Sequence, residues 1–195
     1  MKVARKIMAV CWLPVLVAGL LLIQSCKDDD DDKKGTTCTK EVAESRLIAP
    51  SQAKIKSDSL LIVQYLENNE IDIADTEIKN NVRYRITESG TGETPCLESS
   101  IKVKYRGSLM KTGYIFDPDQ ETQPDVNWQE RETTFLLSNL VLGWQIVLPE
   151  MPVGSKFTMY IPSGYGYGLS GGGGGAIPVN ANLIFDVELV EIVAK

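Results

Sequence analysis

Two stretches in the second half of the chain decide the fold: Val-Lys-Tyr-Arg-Gly at 103–107 and Tyr-Gly-Tyr-Gly at 165–168. In the first stretch apolar and charged side chains alternate, which predicts a strand that is buried on one face. In the second, glycines separate two tyrosines, which predicts a loop whose backbone approaches another group closely. The chain contains no histidine, so an imidazole base, a Ser-His-Asp triad and a histidine-rich metal site are excluded.

Residues 82–86, 101–106, 157–161 and 183–189 alternate with a period of two and are expected to be strands. Residues 114–117 and 133–137 are expected to be further strands. Ser138 is expected to cap a short helix that ends at Pro149, and the polar residues 118–132 are expected to form a solvated loop or insertion. Antiparallel strands with one short helix between them predict an α+β domain, in which a curved antiparallel sheet wraps on that helix.

A helical segment is expected before the sheet, at residues 41–69. Ile55 and Leu66 lie on an apolar stripe with helical spacing, and charged residues such as Asp58 lie around the stripe. Pro50 suits the start of the helix. The segment is too short to form its own core, so we expect it to pack on the main domain or, alternatively, to pair with a second copy.

The N-terminus has the pattern of an export signal. Three basic residues precede an apolar run at 7–23, which Pro14 interrupts, and the first 26 residues contain no acidic residue. Ile-Gln-Ser-Cys at 23–26 resembles the processing box of bacterial lipoproteins, which predicts that Cys26 is lipidated. A simple N-terminal anchor helix is the alternative. Both interpretations place the folded part outside the cytoplasm.

An acidic run and two cysteines follow the processing box. Five aspartates at 28–32 repel one another and cannot be buried together, so they predict a solvated tether. One interpretation is that the run is only a spacer. The other is a surface-export signal, because an acidic run directly behind Cys26 resembles that signal of Bacteroidetes lipoproteins. Cys38 and Cys96 remain in the mature chain, and both a disulfide between them and two free thiols are compatible with the sequence.

The charge balance and the glycine run exclude two classes of ligand. The formal net charge is −6, whereas nucleic-acid binding needs clustered Lys and Arg. The glycine run at 171–175 lacks the Gly-Lys-Ser/Thr ending of a phosphate loop, so nucleotide binding is rejected. We therefore expect no nucleic acid, no metal and no cofactor. The expected organisation is a lipoprotein signal peptide (1–25), an acidic tether (26–40), an N-terminal helical segment (41–80) and the main domain (81–195).

Residues 82–193 resemble the FKBP family of peptidyl-prolyl cis-trans isomerases. The motifs occur in the order that the family has: Val-Lys-Tyr-Arg-Gly, Phe-Asp, Gly-Trp, Met-Pro-Val-Gly-Ser-Lys, Tyr-Gly-Tyr-Gly, Ile-Pro and Leu-Ile-Phe-Asp-Val-Glu-Leu. The resemblance implies an FKBP-like fold and a cofactor-free isomerase that assists the folding of exported proteins. It implies proline-containing polypeptides as substrates and macrolides as ligands. Together with the N-terminus, it places the protein in the cell envelope, lipid-anchored on the periplasmic side of the outer membrane or at the cell surface.

The resemblance also assigns a site, position by position. The catalytic positions are Tyr105, Asp117, Val141 and Tyr167, where Asp117 and Tyr167 provide polar contacts at the rim and the backbone N–H of Val141 holds a substrate carbonyl. The remaining positions form the apolar walls of a proline pocket; they are Phe116, Leu140, Trp144, Ile177 and Phe185. Trp144 is the floor beneath the pyrrolidine ring. The chain departs from the family at Thr133, where an aromatic residue often lines the site.

Such a site needs no proton transfer. Rotation about a peptide bond faces a barrier of about 18–20 kcal/mol because it breaks amide resonance. The twisted state is less polar than the planar amide, so an apolar pocket penalises it less. The alternative is a non-catalytic module or holdase chaperone with the same fold that binds proline-containing segments. A nutrient-binding surface lipoprotein would fit the anchor but not the motifs.

Overall fold

The computed structural model describes residues 37–118, 123 and 125–194. Within them, the helices are α1 (Glu44–Ile48), α2 (Gln52–Asn68) and α3 (Leu142–Val147). The strands are β1 (Glu77–Lys79), β2 (Val82–Glu88), β3 (Ser100–Leu109), β4 (Ile115–Asp117), β5 (Thr133–Leu136), β6 (Lys156–Ile161) and β7 (Leu183–Ala194). Short 3-10 turns lie at Ile73–Asp75, Leu137–Asn139, Leu148–Glu150, Ser163–Tyr165 and Gly173–Gly175. The predicted signal peptide and Cys26 lie outside the described residues.

The strands form one antiparallel sheet in the order β1-β2-β6-β7-β3-β4, and β5 pairs with β3 beside this path. β3 and β7 run side by side over their whole common length, from Leu109 opposite Leu183 to Ser100 opposite Ala194. The sheet and its short buried helix confirm the predicted α+β class.

The main core lies between one face of the sheet and α3. Every second residue of β3 is buried, including Ile101, Val103 and Tyr105, because successive side chains of a strand point to opposite faces. β7 contributes Phe185 and Val187 to the same face. Burying one such side chain stabilises the fold by about 1.5–3 kcal/mol. Five of the six residues of α3 are buried, so burial of its apolar side chains holds this helix against the sheet.

A smaller cluster lies on the opposite face, where α2 packs against the sheet. Ile62 and Leu66 of α2 contact Tyr160 of β6 and Ile184 of β7, and all four side chains are buried. Burial raises the pKa of the Tyr160 phenol to about 12. The helical segment therefore packs in cis on the sheet, as one of the two sequence interpretations predicted.

A disulfide joins the two cysteines whose state the sequence left open. The Cα atoms of Cys38 and Cys96 are 5.1 Å apart, and the bond closes a sequence separation of 58 residues. The backbone N–H of Leu97 donates to the carbonyl of Thr39 at 2.7 Å beside it. The segment before α1 is thus attached to the loop that precedes β3.

Three details of the sequence interpretation are wrong. The segment 41–69 is two helices, α1 and α2, separated at Pro50; the helix start expected at Pro50 is confirmed, since Ser51 caps α2. β1 was not predicted; its three residues are mostly exposed and carry no alternation of burial. Ser138 does not cap the short helix: it lies in a 3-10 turn, and α3 begins after Val141 without a side-chain cap.

In the described residues, no helix combines the length and apolarity needed to cross a membrane.

Candidate active site

The centre of the candidate site is a cluster of aromatic rings between β3, β4, β7 and α3. The Trp144 ring centroid lies 5.6 Å from that of Tyr105 and 5.3 Å from that of Phe185, and Phe116 lies 5.7 Å from Phe185. All three pairs are edge-to-face, an arrangement in which the positive edge of one ring meets the negative face of the next. The structure therefore brings together four of the predicted site residues.

Gly107 of β3 makes this ring cluster possible. A Cβ atom at this position would lie 2.7 Å from Phe116 Cε2 and 2.7 Å from Phe185 Cε1, closer than carbon atoms pack. The register explains the crowding, since Gly107 lies opposite Phe185 on one side and Asp117 on the other. The glycine of the first motif is thus required by its neighbours' rings and not by its backbone angles.

Polar groups lie at one edge of the rings. The Tyr105 hydroxyl donates to Asp117 Oδ2 at 2.5 Å, while Arg131 Nη1 lies 3.6 Å from Asp117 Oδ1. Burial and the hydrogen bond to Asp117 raise the pKa of the Tyr105 phenol well above its usual value. Tyr105 is therefore neutral and holds the Asp117 carboxylate at the margin of an otherwise apolar cluster.

Tyr167 lies on the glycine-rich loop near the same carboxylate. Its side chain is 38% exposed, and burial followed by the charge of Asp117 raises the pKa of its phenol. A Cβ at Gly172 would lie 2.8 Å from Tyr167 Cδ1, so the glycine run crosses directly over the tyrosine ring. Gly172 also exchanges two backbone hydrogen bonds with Ile177, of 3.0 and 3.1 Å, and the Ile177 side chain is buried in the main core.

Leu140 and Val141 lie at the start of α3, half-buried against the core. Val141 is the N-cap, and its carbonyl accepts the N–H of Trp144 at 3.0 Å. The buried Gln145 amide donates to the carbonyls of Leu140 and Ser138 and accepts from Arg46 of α1 at 2.7 Å. The turn that carries the predicted wall residues is therefore fixed from both sides.

Sequence reasoning missed two residues of this site. Phe135 of β5 contacts Tyr105 edge-on, with 5.7 Å between centroids, so β5 supplies an aromatic ring two residues after Thr133. The burial pattern of β5 places Thr133 and Phe135 on one face. The available signal was the strand predicted at 133–137, because residues two apart in a strand share a face. Arg131 lies in a polar loop where the sequence offers no period, so nothing indicated its contact with Asp117.

In the described ranges, no three side chains of the types that ligate metals lie together. The hydroxyl that donates to Asp117 is that of Tyr105, and its raised pKa keeps it protonated, so this pair does not supply an activated nucleophile. What it can provide is an apolar surface made of rings, with a carboxylate and two phenols at its edge.

Comparisons with known proteins identify the family of the chain. Residues 92–190 match the family described as FKBP-type peptidyl-prolyl cis-trans isomerase. The chain is 35% identical over 129 residues to the FKBP-type peptidyl-prolyl cis-trans isomerase FkpA of Aeromonas hydrophila. The aligned stretch covers 66% of this chain and 44% of the relative. The chain is 30% identical over 115 residues to the Outer membrane protein MIP of Legionella longbeachae, covering 59% and 46%. The chain thus spans about half the length of these relatives.

A solved structure has a similar fold. The crystal structure of a peptidyl-prolyl cis-trans isomerase from Pseudomonas syringae pv. tomato superposes with a TM-score of 0.56 at 25% identity, covering 75% of this chain and 98% of that one. The similarity extends beyond the residues matched by the family, which supports the sheet and helix arrangement described above.

Proposed function

Since the chain belongs to the family of FKBP-type peptidyl-prolyl cis-trans isomerases, we propose that it accelerates rotation about Xaa-Pro bonds in polypeptides. The observation that carries the proposal is the ring cluster of Tyr105, Trp144, Phe116 and Phe185 with Asp117 at its edge. These side chains come from four separate elements, so their meeting is a property of the fold.

The apolar part of the cluster would act on the prolyl ring and the amide. At Xaa-Pro the cis and trans forms differ by only about 0.5–1 kcal/mol but exchange slowly, over tens to hundreds of seconds. A surface of rings holds the pyrrolidine while the preceding carbonyl turns, and it disfavours the polar planar amide more than the twisted state. Each 1.36 kcal/mol of such differential stabilisation gives about a tenfold rate increase.

The polar residues would orient the substrate without exchanging protons. Asp117 already accepts from Tyr105 and pairs with Arg131, so its role is to fix the phenol and to present a negative edge. Tyr167, whose pKa is raised by burial, stays protonated and can donate to a substrate carbonyl. The N–H of Val141, at the start of α3, can donate to the carbonyl on the other side, because the first N–H groups of a helix lack intrahelical acceptors. Trp144 forms the floor, and Leu140 and Ile177 complete the wall.

The proposal extends to the place where the protein works. We infer that it is exported and anchored in the cell envelope through lipid on Cys26, with the acidic run as its tether. Two independent features support this: residues 23–26 resemble a lipoprotein processing box, and Cys38 and Cys96 form a disulfide, a bond that persists mainly in oxidising compartments. One relative carries the name Outer membrane protein MIP. The substrates would be exported polypeptides that contain proline, and macrolide FKBP ligands would compete for the rings.

The test follows cis-to-trans conversion of a chromogenic Xaa-Pro peptide with the purified protein, with and without a macrolide FKBP ligand. We expect acceleration over buffer, and inhibition by the macrolide. Tyr167→Phe and Asp117→Ala should each lower the rate of peptide conversion by a larger factor than their loss of unfolding free energy accounts for. A protein that prevents aggregation of an unfolded client but leaves peptide conversion at the buffer rate would instead be a binding module or holdase, and would contradict the proposal.

A further inference from the structure

A buried carboxylate links α2 to the loop that carries Tyr167. Asp58 lies on α2, among charged neighbours in the sequence, yet its side chain is 0% exposed. Its Oδ2 accepts from the Ser163 hydroxyl at 2.6 Å and from the Ser163 backbone N–H at 3.1 Å, while its Oδ1 pairs with Lys54. The two residues are 105 positions apart in the chain, so this contact forms only in the folded protein.

Ser163 in turn holds the backbone on both sides of Tyr167. Its carbonyl accepts the N–H of Gly166 at 3.0 Å and the N–H of Gly168 at 2.9 Å. Its own N–H is shared between Asp58 and Asn182 Oδ1, the latter at 2.9 Å. Asp58 therefore fixes Ser163 through its N–H and its hydroxyl, and the carbonyl of the same residue, in the next peptide plane, sets the path of the residues that flank the tyrosine.

Other contacts to the same loop leave it little freedom. The Tyr165 hydroxyl donates to the carbonyl of Leu47 at 3.1 Å. A Cβ at Gly164 would lie 2.8 Å from Ile55 Cδ1, so α2 and the loop are in close contact. The Gly168 carbonyl accepts from Asn180 at 2.8 Å, which fixes the far end of the loop. Asp58 is buried within this packing, and it is directed at Ser163.

We propose that Asp58 is a positioning residue for Tyr167, so that α2 takes part in building the active site. The inference depends on the function proposed above, in which Tyr167 contacts the substrate. Burying a carboxylate is costly, and apolar side chains of similar volume often stabilise such sites equally well or better. The carboxylate at this position is explained by the directionality of hydrogen bonds. Its oxygen accepts from two donors of Ser163 and so orients them, which an apolar side chain cannot do.

The experiment compares Asp58→Ala with Ile62→Ala in the full-length chain, purified in detergent. Ile62 lies one turn further along α2 and is 1% exposed, and it belongs to the cluster that packs on Tyr160 and Ile184 of the sheet. Three quantities are measured: the free energy of unfolding, kcat and KM for the Xaa-Pro peptide, and the amide NMR resonances of 15N-labelled glycines. Assays are run well below the unfolding transition of every variant.

We expect Asp58→Ala to lower kcat/KM about tenfold, mainly through kcat, since a misplacement of about 1 Å can cost up to about a hundredfold. The Gly166 and Gly168 resonances should shift in this variant. Ile62→Ala should lose comparable or greater stability but keep kcat/KM within about twofold and leave both resonances in place. Asp58→Asn, which keeps one oxygen acceptor, should recover part of the activity.

The possible results separate the two proposals. If the unsubstituted chain does not accelerate conversion, the proposed function is contradicted and the inference fails with it. If that chain is active but Asp58→Ala and Ile62→Ala behave alike, the function stands and the positioning role is overturned. Should Asp58→Ala not fold, Ser163→Ala removes the hydroxyl bond while keeping the backbone N–H; unchanged activity and unchanged glycine resonances in that variant would also overturn the role.

Discussion

The ring cluster and the Asp58–Ser163 contact differ in how they depend on geometry. The rings of Tyr105, Trp144 and Phe185 are held by many contacts among neighbours, and each pair of atoms contributes only about 0.1–0.2 kcal/mol. The contact between Asp58 and Ser163 consists of two hydrogen bonds to one carboxylate oxygen. It has few parts, and each requires a particular orientation.

The difference separates two tasks within one site. An apolar cluster can provide the surface on which an amide twists, and its stability and its function come from the same atoms. A directional polar contact contributes position, so it can affect the rate without contributing much to the fold. Substitutions in the two regions should therefore change stability and activity in different proportions.

The largest effect is expected for Trp144→Ala. Trp144 is 3% exposed and touches both Tyr105 and Phe185, and removing such a ring from a core costs about 3–5 kcal/mol of unfolding free energy. Peptide conversion should fall to near the buffer rate. Chemical denaturation and the peptide assay measure the two effects.

Trp128→Ala is the matched control. This ring lies 5.5 Å from the guanidinium of Arg106, outside the ring cluster, and a partly exposed cation–π contact contributes only about 0.5–1 kcal/mol. Equal losses of activity for the two tryptophan variants would show that the cluster has no special role.

The next largest effect is expected when the disulfide is removed. Replacing Cys38 and Cys96 by Ser releases a constraint across 58 residues of sequence separation, which should cost about 2–4 kcal/mol. The rings are not touched, so kcat/KM of the folded variant should stay close to that of the parent. Urea unfolding with and without a reductant measures the first effect. A large loss of kcat/KM at full folding would mean that the N-terminal attachment shapes the rings as well.

A smaller stability effect with a clear functional consequence is expected for Gly107→Ala. The added methyl group would meet Phe116 and Phe185 at 2.7 Å, and overpacking of this kind costs about 1–3 kcal/mol. Because both rings must shift, kcat/KM should fall. Ser108→Ala, at the next position of β3 and on the opposite face, is the control and should change neither quantity. A Gly107→Ala protein with parental activity would contradict the importance of the ring positions.

Tyr105→Phe should have the smallest effect on stability. It removes one hydrogen bond to Asp117, which contributes about 1 kcal/mol, and keeps the ring. The value of kcat/KM should fall by more than a loss of about 1 kcal/mol in stability would cause, because Asp117 is no longer fixed. The two quantities are measured as for the preceding variants.

The same substitution has a predicted pH dependence. Burial and the bond to Asp117 raise the folded-state pKa of Tyr105 above that of the unfolded chain, so the neutral phenol stabilises the fold fully below the unfolded value of about 10. That stabilisation is lost as the pH rises above 10 towards the folded-state pKa. Between pH 10 and 11.5, unfolding free energy should therefore decline less steeply in Tyr105→Phe than in the parent. Parallel curves would exclude the contribution of Tyr105.

Much of the fold could be predicted because its strands are regular. The alternation around Tyr105 and Phe185 identified which face is buried, since a strand has a fixed period and a core needs apolar surface. The ordered motifs then indicated the family, and with it the residues that meet in the ring cluster. Short elements were harder: β1 has three residues and no alternation, so no periodic signal existed.

The polar contacts could not be predicted, because they join distant parts of the chain. Asp58 has the same sequence appearance as an exposed helix residue, and its burial depends on Ser163 lying opposite it after folding. Arg131 likewise reaches Asp117 from a loop without a period. A buried charge is tolerated only where its partners converge, and that convergence is a property of the tertiary structure.

The central claim is that the ring cluster lowers the barrier to prolyl isomerisation, and exchange NMR of an Xaa-Pro peptide tests it most directly. With a substoichiometric amount of the protein, cis and trans resonances should exchange faster than in buffer while their ratio stays unchanged, and Trp144→Ala should abolish the acceleration. Exchange at the buffer rate with the folded, unsubstituted protein would contradict the claim.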